Sequence, residues 1–373
     1  MNNICEILFS VLRSALFGGE VDNKMFEGLS AEGWKSLFRL SAKQGVLAIV
    51  YDVVSQLPDE CQPPRDIRLQ WALSVEAVEQ RYRQQFIGAK TLSDKWSESG
   101  IKTVVFKGFS LSKYYPTPNH RECGDFDCYL LDGKYEEGNV LAEQYGAKVN
   151  REWYKHSQIF YRGMMAENHN FLVTTRKGKS SKELNAILKE KLQGDLQTLE
   201  GTKILLPTNE FTALFVTYHS FAHFISEGIT LRHLCDWACF MKAEQNNFDW
   251  DSFYALCRRF KFDRFVDVSN EIITKHLGVT LQNKTIVCES PYTNKVLYDI
   301  LMDDAKVFSS GKGKWHNRVK LIKNIFSYRW KHRDIAQSSS IRYFLKLTLG
   351  YLFKRENTDL NKQLYERYCT RRW

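Results

Sequence analysis

The chain has 373 residues, of which 43% are hydrophobic, 26% are charged and only seven are proline. This composition excludes a disordered or collagen-like protein, and the length predicts two or three packed units. The net charge of +10 is uneven, because residues 306–373 contain 17 Lys and Arg against 4 Asp and Glu, which leaves −3 for residues 1–305. The high pI therefore does not by itself indicate a nucleic-acid-binding protein.

Nine cysteines are spread along the chain without the dense spacing of a disulfide scaffold, which favours a reducing cytoplasm. The apolar run near the N-terminus lacks the basic leader and the cleavage site of a signal peptide. No stretch reaches the roughly 20 apolar residues that span a bilayer. We therefore expect a cytoplasmic protein with no transmembrane segment.

The first part of the chain, residues 1–98, shows apolar residues at helical spacing and predicts an N-terminal helical region. Its predicted helical segments are 8–17, 34–57 and 68–97. A proline-bearing loop over residues 57–66 separates the second segment from the third.

The pattern changes after Gly100, where short runs of β-branched and aromatic residues predict strands. The predicted strands are 102–106, 125–131, 156–161 and 165–173, with a helix over 134–145. Arg162 and Gly163 form a predicted tight turn between the last two strands. Together these elements predict an α+β core over residues 99–205, flanked by N-terminal and C-terminal helical regions.

Helical patterns return in the second half of the chain. A polar, charged segment predicts a helix over 180–200, and Thr208 or Asn209 is the predicted N-cap of a helical domain over 206–304. Residues 305–373 form a basic tail in which cations alternate with aromatic and aliphatic residues, which predicts an amphipathic helix.

Two aspartates, Asp125 and Asp127, stand on either side of Phe126 at the start of a predicted strand. Residues i and i+2 of a strand point to the same face, so the two carboxylates are predicted to be neighbours. Their repulsion is about 2–4 kcal/mol when partly enclosed. Mg²⁺ removes this cost, because it prefers hard oxygen ligands and takes carboxylates together with phosphates. A solvated pair at a loop edge is the alternative.

Other residues could complete such a site. Lys107 and Gly108 close the first predicted strand and open a helix, which could place backbone N–H groups against a phosphate. A third carboxylate, Glu167, lies on a later strand, where it could join the pair or act as a base. Lys113 and Arg121 are candidate contacts for a triphosphate, with plain surface charge as the alternative, and His120 is a weaker candidate.

This combination resembles an uncharacterised bacterial nucleotidyltransferase family of the DNA polymerase beta-type superfamily, over roughly residues 30–300. The family typically shows Lys-Gly after a strand, then Tyr-Pro, Arg, Gly-Asp-x-Asp, Glu-x-His and a helical His-rich segment. The matching residues, in order, are Lys107-Gly108, Tyr115-Pro116, Arg121, Gly124-Asp125-Phe126-Asp127, Glu167-Asn168-His169, His219, His223, Arg232 and Asp236. Phe109 directly follows Gly108, where the superfamily favours Gly or Ser, and Ser110 comes one position later.

The resemblance implies a nucleotidyltransferase-type mixed sheet in which Asp125, Asp127 and Glu167 are the catalytic acids and hold Mg²⁺ or Mn²⁺. It also implies transfer of a nucleoside monophosphate from a nucleoside triphosphate (NTP) such as ATP to a hydroxyl, with release of pyrophosphate. The acceptor could be a protein, a sugar, a metabolite or RNA. The residues that we predict to bind the nucleotide are Lys107, Gly108, Ser110, Lys113, Arg121, His219 and His223.

Two further groups of residues have helical spacing. His219 and His223 share a helix face, as do Cys235 and Cys239, so the four could in principle hold zinc; we favour cleft-lining or hydrogen-bonded histidines and apolar buried cysteines. Arg232 and Asp236 are predicted to form an ion pair that braces their helix.

The basic tail leaves the partner open, because residues 306–373 could pack as a helix with a solvated basic face, contact a membrane surface or bind nucleic-acid phosphates. The alternative to the enzyme is a catalytically inactive binding or scaffold protein of the same fold, with the tail as its contact surface. A transferase that acts on RNA is a third alternative.

Overall fold

The computed structural model describes residues 3–174, 178–194, 196–247, 249–283, 285–302 and 328–339. Most of the tail, for which an amphipathic helix is predicted, lies outside the described residues. In the part of the chain that the structure describes, no helix has the length and apolar character needed to cross a bilayer.

The N-terminal region is helical, as predicted. Its helices are α1 (Asn3–Phe17), α2 (Ala31–Lys43), α3 (Leu47–Val54) and α4 (Arg65–Glu98). The predicted single segment over 34–57 is wrong, because the chain breaks between α2 and α3, where Gly45 has φ +67. A residue with a side chain is strained at this positive φ, and glycine is not.

A six-stranded mixed sheet forms the centre of the molecule, in the order β3-β4-β5-β2-β1-β6. The strands are β1 (Thr103–Val105), β2 (Phe126–Leu130), β3 (Lys148–Asn150), β4 (His156–Tyr161), β5 (Met164–His169) and β6 (Ile204–Leu205). Strand β2 runs antiparallel to β1 and parallel to β5, and β4 and β5 form a hairpin. The predicted Arg162-Gly163 turn is confirmed, with φ values of 47 and 75.

The sequence did not reveal the two edge strands, β3 and β6. The predicted helix over 180–200 is wrong in its second half, because α7 (Lys179–Glu190) ends there and the chain turns back to form β6 beside β1. Gly194 and Gly201 have φ values of +106 and +69 in this return, which are unfavourable for a continuing helix. Between β1 and β2 lies α5 (Phe109–Ser112), a single helical turn.

Side-chain alternation divides the core into two layers on the two faces of the sheet. Phe126, Cys128 and Ala166 pack with α4 on one face, whereas Val104 and Phe106 belong to the core on the other face. On the first face α6 (Tyr135–Gln144) is joined to the hairpin by Asn139, whose Oδ1 accepts hydrogen bonds from Ser157 Oγ (2.6 Å) and Asn168 Nδ2 (2.9 Å). The α+β fold with flanking helices is confirmed.

The C-terminal helices belong to the core on the second face of the sheet. They are α8 (Asn209–Ser226), α9 (Leu231–Glu244), α10 (Trp250–Arg259), α11 (Asp263–Lys275) and α12 (Thr293–Met302). Thr208 is the N-cap of α8, as predicted, and accepts a hydrogen bond from Phe211 N at 3.2 Å. A short piece of the tail packs on these helices, where Lys331 Nζ lies 2.6 Å from Asp299 Oδ2 of α12.

His120 connects the loop before β2 to the N-terminal helices. Its Nδ1 lies 2.7 Å from Asp52 Oδ1 on α3 and its Nε2 lies 2.9 Å from Glu79 Oε1 on α4, while Arg83 is paired with Glu79 from the same helix. Burial lowers the pKa of His120, but the hydrogen bonds and charges of Asp52 and Glu79 raise this pKa by a larger amount. The net shift is therefore upward.

A raised histidine pKa gives a pH dependence of known sign. The stability from this contact is fully present below the unfolded pKa of about 6.5 and is lost as the pH rises through the higher folded pKa. We expect the melting temperature of the wild type to fall between pH 6 and pH 9 more than that of His120→Gln, measured by circular dichroism. Parallel curves for the two proteins would contradict this role of His120.

Candidate active site

Three carboxylates converge on the face of the sheet that α8 covers. Asp127 on β2 is the register partner of Glu167 on the parallel strand β5, and Asp125 immediately precedes β2. Asp127 and Glu167 are buried, with exposed fractions of 1% and 2%, and Asp125 is half-buried. Each of the three offers an oxygen, and these oxygens lie within 4.8 Å of one another. The two strands therefore build one compact oxygen cluster.

Lys107 supplies a positive charge to this cluster. The pairing of β1 with β2 ends in a hydrogen bond from Phe106 N to Asp127 O (3.3 Å), which brings the next residue over the carboxylates. Lys107 Nζ lies 2.7 Å from Asp127 Oδ2. Burial lowers the pKa of Lys107, but Asp127, Asp125 and Glu167 together raise it above its ordinary value, so the ammonium stays charged.

Asp127 has a second partner in His169, which lies two residues after Glu167 on the same face of β5. His169 Nε2 lies 2.9 Å from Asp127 Oδ1. Burial raises the pKa of Asp127, but the charge of Lys107 and the hydrogen bond with His169 lower it to about 2. Asp127 is therefore ionised throughout the physiological range.

The donor set of this cluster fits a divalent cation. All three acids offer hard oxygen ligands at close range, as Mg²⁺ requires. Three carboxylates and the Lys107 ammonium give the cluster a formal charge of −2, which one dication would neutralise. Lys107 nevertheless occupies one oxygen of Asp127 in this structure, so a metal would have to share that carboxylate with it or displace it.

A cavity of about 70 Å³ opens beside the cluster, between the sheet, α8 and α9. Six of the predicted site residues line it: Lys107, Gly108, Arg121, Asp125, Asp127 and His219. Ser110, Lys113, Glu167 and His223 are not among the described residues that line it. Glu167 lies beneath, within the acid cluster, while Ser110 is buried and the ammonium of Lys113 lies 4.7 Å from the ring of Tyr114.

The cavity wall includes residues to which the sequence assigned no role in binding. They are Leu111, Cys123, Gly124, Val216, Ser220, Arg232, His233 and Asp236. Ser220 follows His219 directly, and His233 lies one position after Arg232, so their proximity to those residues was the available signal. Arg232 adds a cation to the cavity wall, beside Lys107 and Arg121.

Arg121 is paired with α9 across the cavity. Its Nε lies 2.6 Å from Asp236 Oδ1 and its Nη2 lies 2.8 Å from Oδ2, and Tyr115 Oη donates to the same carboxylate at 2.7 Å. The predicted Arg232–Asp236 pair is therefore wrong, because the Asp236 carboxylate is taken up by a bidentate guanidinium from another part of the fold. Arg232 instead donates to the carbonyl of Glu122 at 3.0 Å.

The two predicted histidines of α8 differ in environment. His219 is stacked on Phe215, with ring centroids 5.6 Å apart, and its burial together with the charge of Lys107 lowers its pKa well below the ordinary value. It therefore faces the cavity as a neutral ring. His223 lies farther out and pairs with Glu227 one turn along the helix.

The alternative zinc site of His219, His223, Cys235 and Cys239 is wrong for the described residues. Two groups of side chains there could hold a metal, and neither includes any of these four. Burial raises the pKa of both Cys235 and Cys239, which disfavours thiolate ligands and agrees with their place in the apolar core.

The turn after β1 is tight. Gly108 has φ +59, a backbone conformation that favours glycine, whereas a Cβ there would make only an ordinary contact of 3.6 Å with the carbonyl oxygen of Asp125. The amide of Ser110 already donates to the carbonyl of Lys107, at 3.3 Å. Because α5 is only one turn long, side chains rather than a long helix dipole would have to hold a phosphate here.

A mixed sheet that presents paired acids on one strand and a third acid on its neighbour, under a helical domain, is consistent with the nucleotidyltransferase class. Residues 30–278 match a family described as an uncharacterised nucleotidyltransferase, about two thirds of the chain, and the protein belongs to this family. At this general level it is a transferase. No match was found among curated proteins or among solved structures.

Proposed function

We propose that the protein is a metal-dependent nucleotidyltransferase of the DNA polymerase beta type, which transfers a nucleoside monophosphate from an NTP to a hydroxyl acceptor. The observation that carries this proposal is the convergence of Asp125, Asp127 and Glu167 beside Lys107 at the edge of a cavity. Among the residues that the structure describes, no other buried ion pair combines clustered acids with an adjacent opening.

The residues divide into two roles in the proposed reaction. Asp125, Asp127 and Glu167 would hold Mg²⁺ or Mn²⁺, which supplies charge neutralisation at the attacking and leaving oxygens when it is bound. Lys107 and Arg232 would hold phosphate oxygens, with Arg121 as a third candidate if its bond with Asp236 loosens. His219 is placed to contact the nucleotide as a neutral ring.

The proposed reaction needs no reactant other than the NTP and the acceptor hydroxyl. The acceptor hydroxyl oxygen forms a bond to the α-phosphorus, the bond from that phosphorus to the α–β bridging oxygen breaks, and pyrophosphate leaves. The hydroxyl proton passes to a carboxylate oxygen of the cluster. Because the cavity measures only about 70 Å³, a phosphate group would enter it while the nucleoside lies outside.

The second candidate is a nucleotidyltransferase-fold scaffold without turnover. The Lys107–Asp127 bond at 2.7 Å favours it, because an ammonium that stays there would keep a metal from this carboxylate. In that case the basic tail would be the useful surface, through a membrane or a nucleic acid. Transfer of the nucleotide label to an acceptor separates the two candidates, because only the enzyme turns over.

The test uses purified full-length protein, cell lysate, Mg²⁺ or Mn²⁺, and each NTP labelled either at the α-phosphate or at the γ-phosphate. We expect label to reach an acceptor from the α-labelled NTP only, together with release of pyrophosphate. Transfer from the γ-labelled NTP would contradict nucleotidyl transfer. Metal-dependent NTP binding without any transfer would favour the scaffold.

A further inference from the structure

A second group of possible metal ligands lies on the other side of Glu167 from the paired aspartates. It consists of His156 on β4 together with Glu167 and His169 on β5. His156 and His169 are direct partners across the hairpin, and Glu167 lies two residues before His169. All three side chains therefore leave the same face of the sheet, on backbone held by strand pairing.

Two distances in this group are longer than good hydrogen bonds and match the separation of ligands around one metal ion. Glu167 Oε2 lies 3.4 Å from His156 Nδ1 and 3.6 Å from His169 Nε2. Good hydrogen bonds of this type are about 2.7–3.2 Å long. Ligands of a tetrahedral Zn²⁺ with bonds of about 2.0–2.2 Å lie about 3.3–3.6 Å apart, whereas neighbouring ligands of octahedral Mg²⁺ lie about 2.9 Å apart.

Both rings place a nitrogen near Glu167 Oε2. His156 Nδ1 is buried and has no hydrogen-bond partner among the described residues, although its ring is only 5% exposed. An orphan buried nitrogen is costly unless something satisfies it. His169 Nδ1 lies 3.3 Å from the carbonyl oxygen of Phe171, the arrangement in which a ligating histidine donates its other N–H to the backbone.

His169 Nε2 lies 2.9 Å from Asp127 Oδ1, to which it is hydrogen-bonded, and 3.6 Å from Glu167 Oε2. A cation bound between His169 and Glu167 would replace this hydrogen bond, with the ring proton on Nδ1.

We propose that His156, Glu167 and His169 form a second divalent-metal site, selective for a transition metal of the zinc class. Two imidazoles and one carboxylate suit Zn²⁺ or Co²⁺ better than Mg²⁺, which prefers oxygen ligands. Three protein ligands leave the fourth position open to water or substrate. Ligation through Oε2 leaves the other oxygen of Glu167 for the acid cluster, so this carboxylate would join two metals. The site goes beyond the proposed function, because it needs no nucleotide.

The experiment titrates chelator-treated, full-length protein with Co²⁺, followed by visible absorption, and with Zn²⁺, followed by calorimetry. We expect the intense absorption of four-coordinate Co²⁺. Equimolar Mg²⁺ should not displace the bound Co²⁺. His156→Gln should weaken the binding of both metals by on the order of 100-fold or more, since even outer-shell changes cost about 10–100-fold. His276→Gln, which removes a histidine remote from the cluster, should bind as the wild type does.

Asp125→Asn distinguishes this site from the proposed function. Asp125 belongs only to the acid cluster. The variant should therefore retain Co²⁺ binding even if its Mg²⁺-dependent NTP binding is lost. Equal Co²⁺ affinity in His156→Gln and the wild type would overturn the proposal, as would displacement of Co²⁺ by equimolar Mg²⁺.

A measurement on the wild type avoids any dependence on the folding of a variant. X-ray absorption of the Zn²⁺-loaded protein should show two imidazole nitrogens among the ligands. A spectrum without imidazole scattering would overturn the site, whatever the variants show.

Discussion

Replacing Asp125 by asparagine is expected to lower Mg²⁺-dependent nucleotidyl transfer on the order of 1000-fold, which corresponds to about 4 kcal/mol of transition-state stabilisation. Asn keeps the shape of the side chain but removes one of three charges that would hold the cation. Asp125 is half-buried, unlike Asp127, so the change should alter the free energy of unfolding by only about 1 kcal/mol. Transfer of α-phosphate label and urea unfolding measure the two effects.

The matched control is Asp132→Asn, at the other end of the same strand. Asp132 is exposed and has φ +57, a backbone conformation that asparagine tolerates well. It should transfer label as the wild type does. If Asp125→Asn retains full activity while it remains folded, the acid cluster is not the site of the reaction. Loss of activity in both variants would point to an unspecific effect of charge.

Replacing Asp236 by alanine is expected to destabilise the fold by about 3–5 kcal/mol, the cost of leaving a buried charge without its partner. The guanidinium of Arg121 is 3% exposed and, among the described residues, would keep only its weaker contacts with Cys123 Sγ and the carbonyl of Glu122, both at 3.4 Å. Tyr115 would also lose its acceptor. Urea unfolding followed by circular dichroism measures the change.

Two comparisons test the reason for this loss. The double variant Arg121→Met with Asp236→Leu removes both charges and should recover most of the stability, because well-packed apolar residues can replace a buried pair. Glu32→Ala breaks the Arg39–Glu32 pair, in which both side chains are more than 60% exposed, and should cost less than about 1 kcal/mol. If the double variant is no more stable than Asp236→Ala, the unpaired buried charge of Arg121 is not the cause of the lost stability.

The same double variant tests the predicted nucleotide contact of Arg121. If it folds stably and binds NTP with the affinity of the wild type, Arg121 serves only to join the loop before β2 to α9. If the affinity falls in the folded protein, Arg121 contributes to nucleotide binding as well.

Local patterns in the sequence determined much of the fold. The alternation of side chains along β2 placed Asp127 on the face opposite to Phe126 and Cys128. The limits of β4 and the Arg162-Gly163 turn also agree with the prediction, because strand period and turn chemistry are local properties. The N-cap at Thr208 was equally readable. The edge strands β3 and β6 were not, because strands of three and two residues have too short a pattern and depend on their partners.

Both the sequence and the tertiary structure were needed to define the candidate site. The sequence by itself determined which residue types could hold a metal and which family the chain resembles, because acids at a spacing of two share a face of any strand. Only the tertiary structure decided the partners: that Lys107 reaches Asp127, that Arg121 rather than Arg232 pairs with Asp236, and that His156 joins Glu167. These contacts depend on strand register and on the docking of α9, which bring together residues that no local pattern relates.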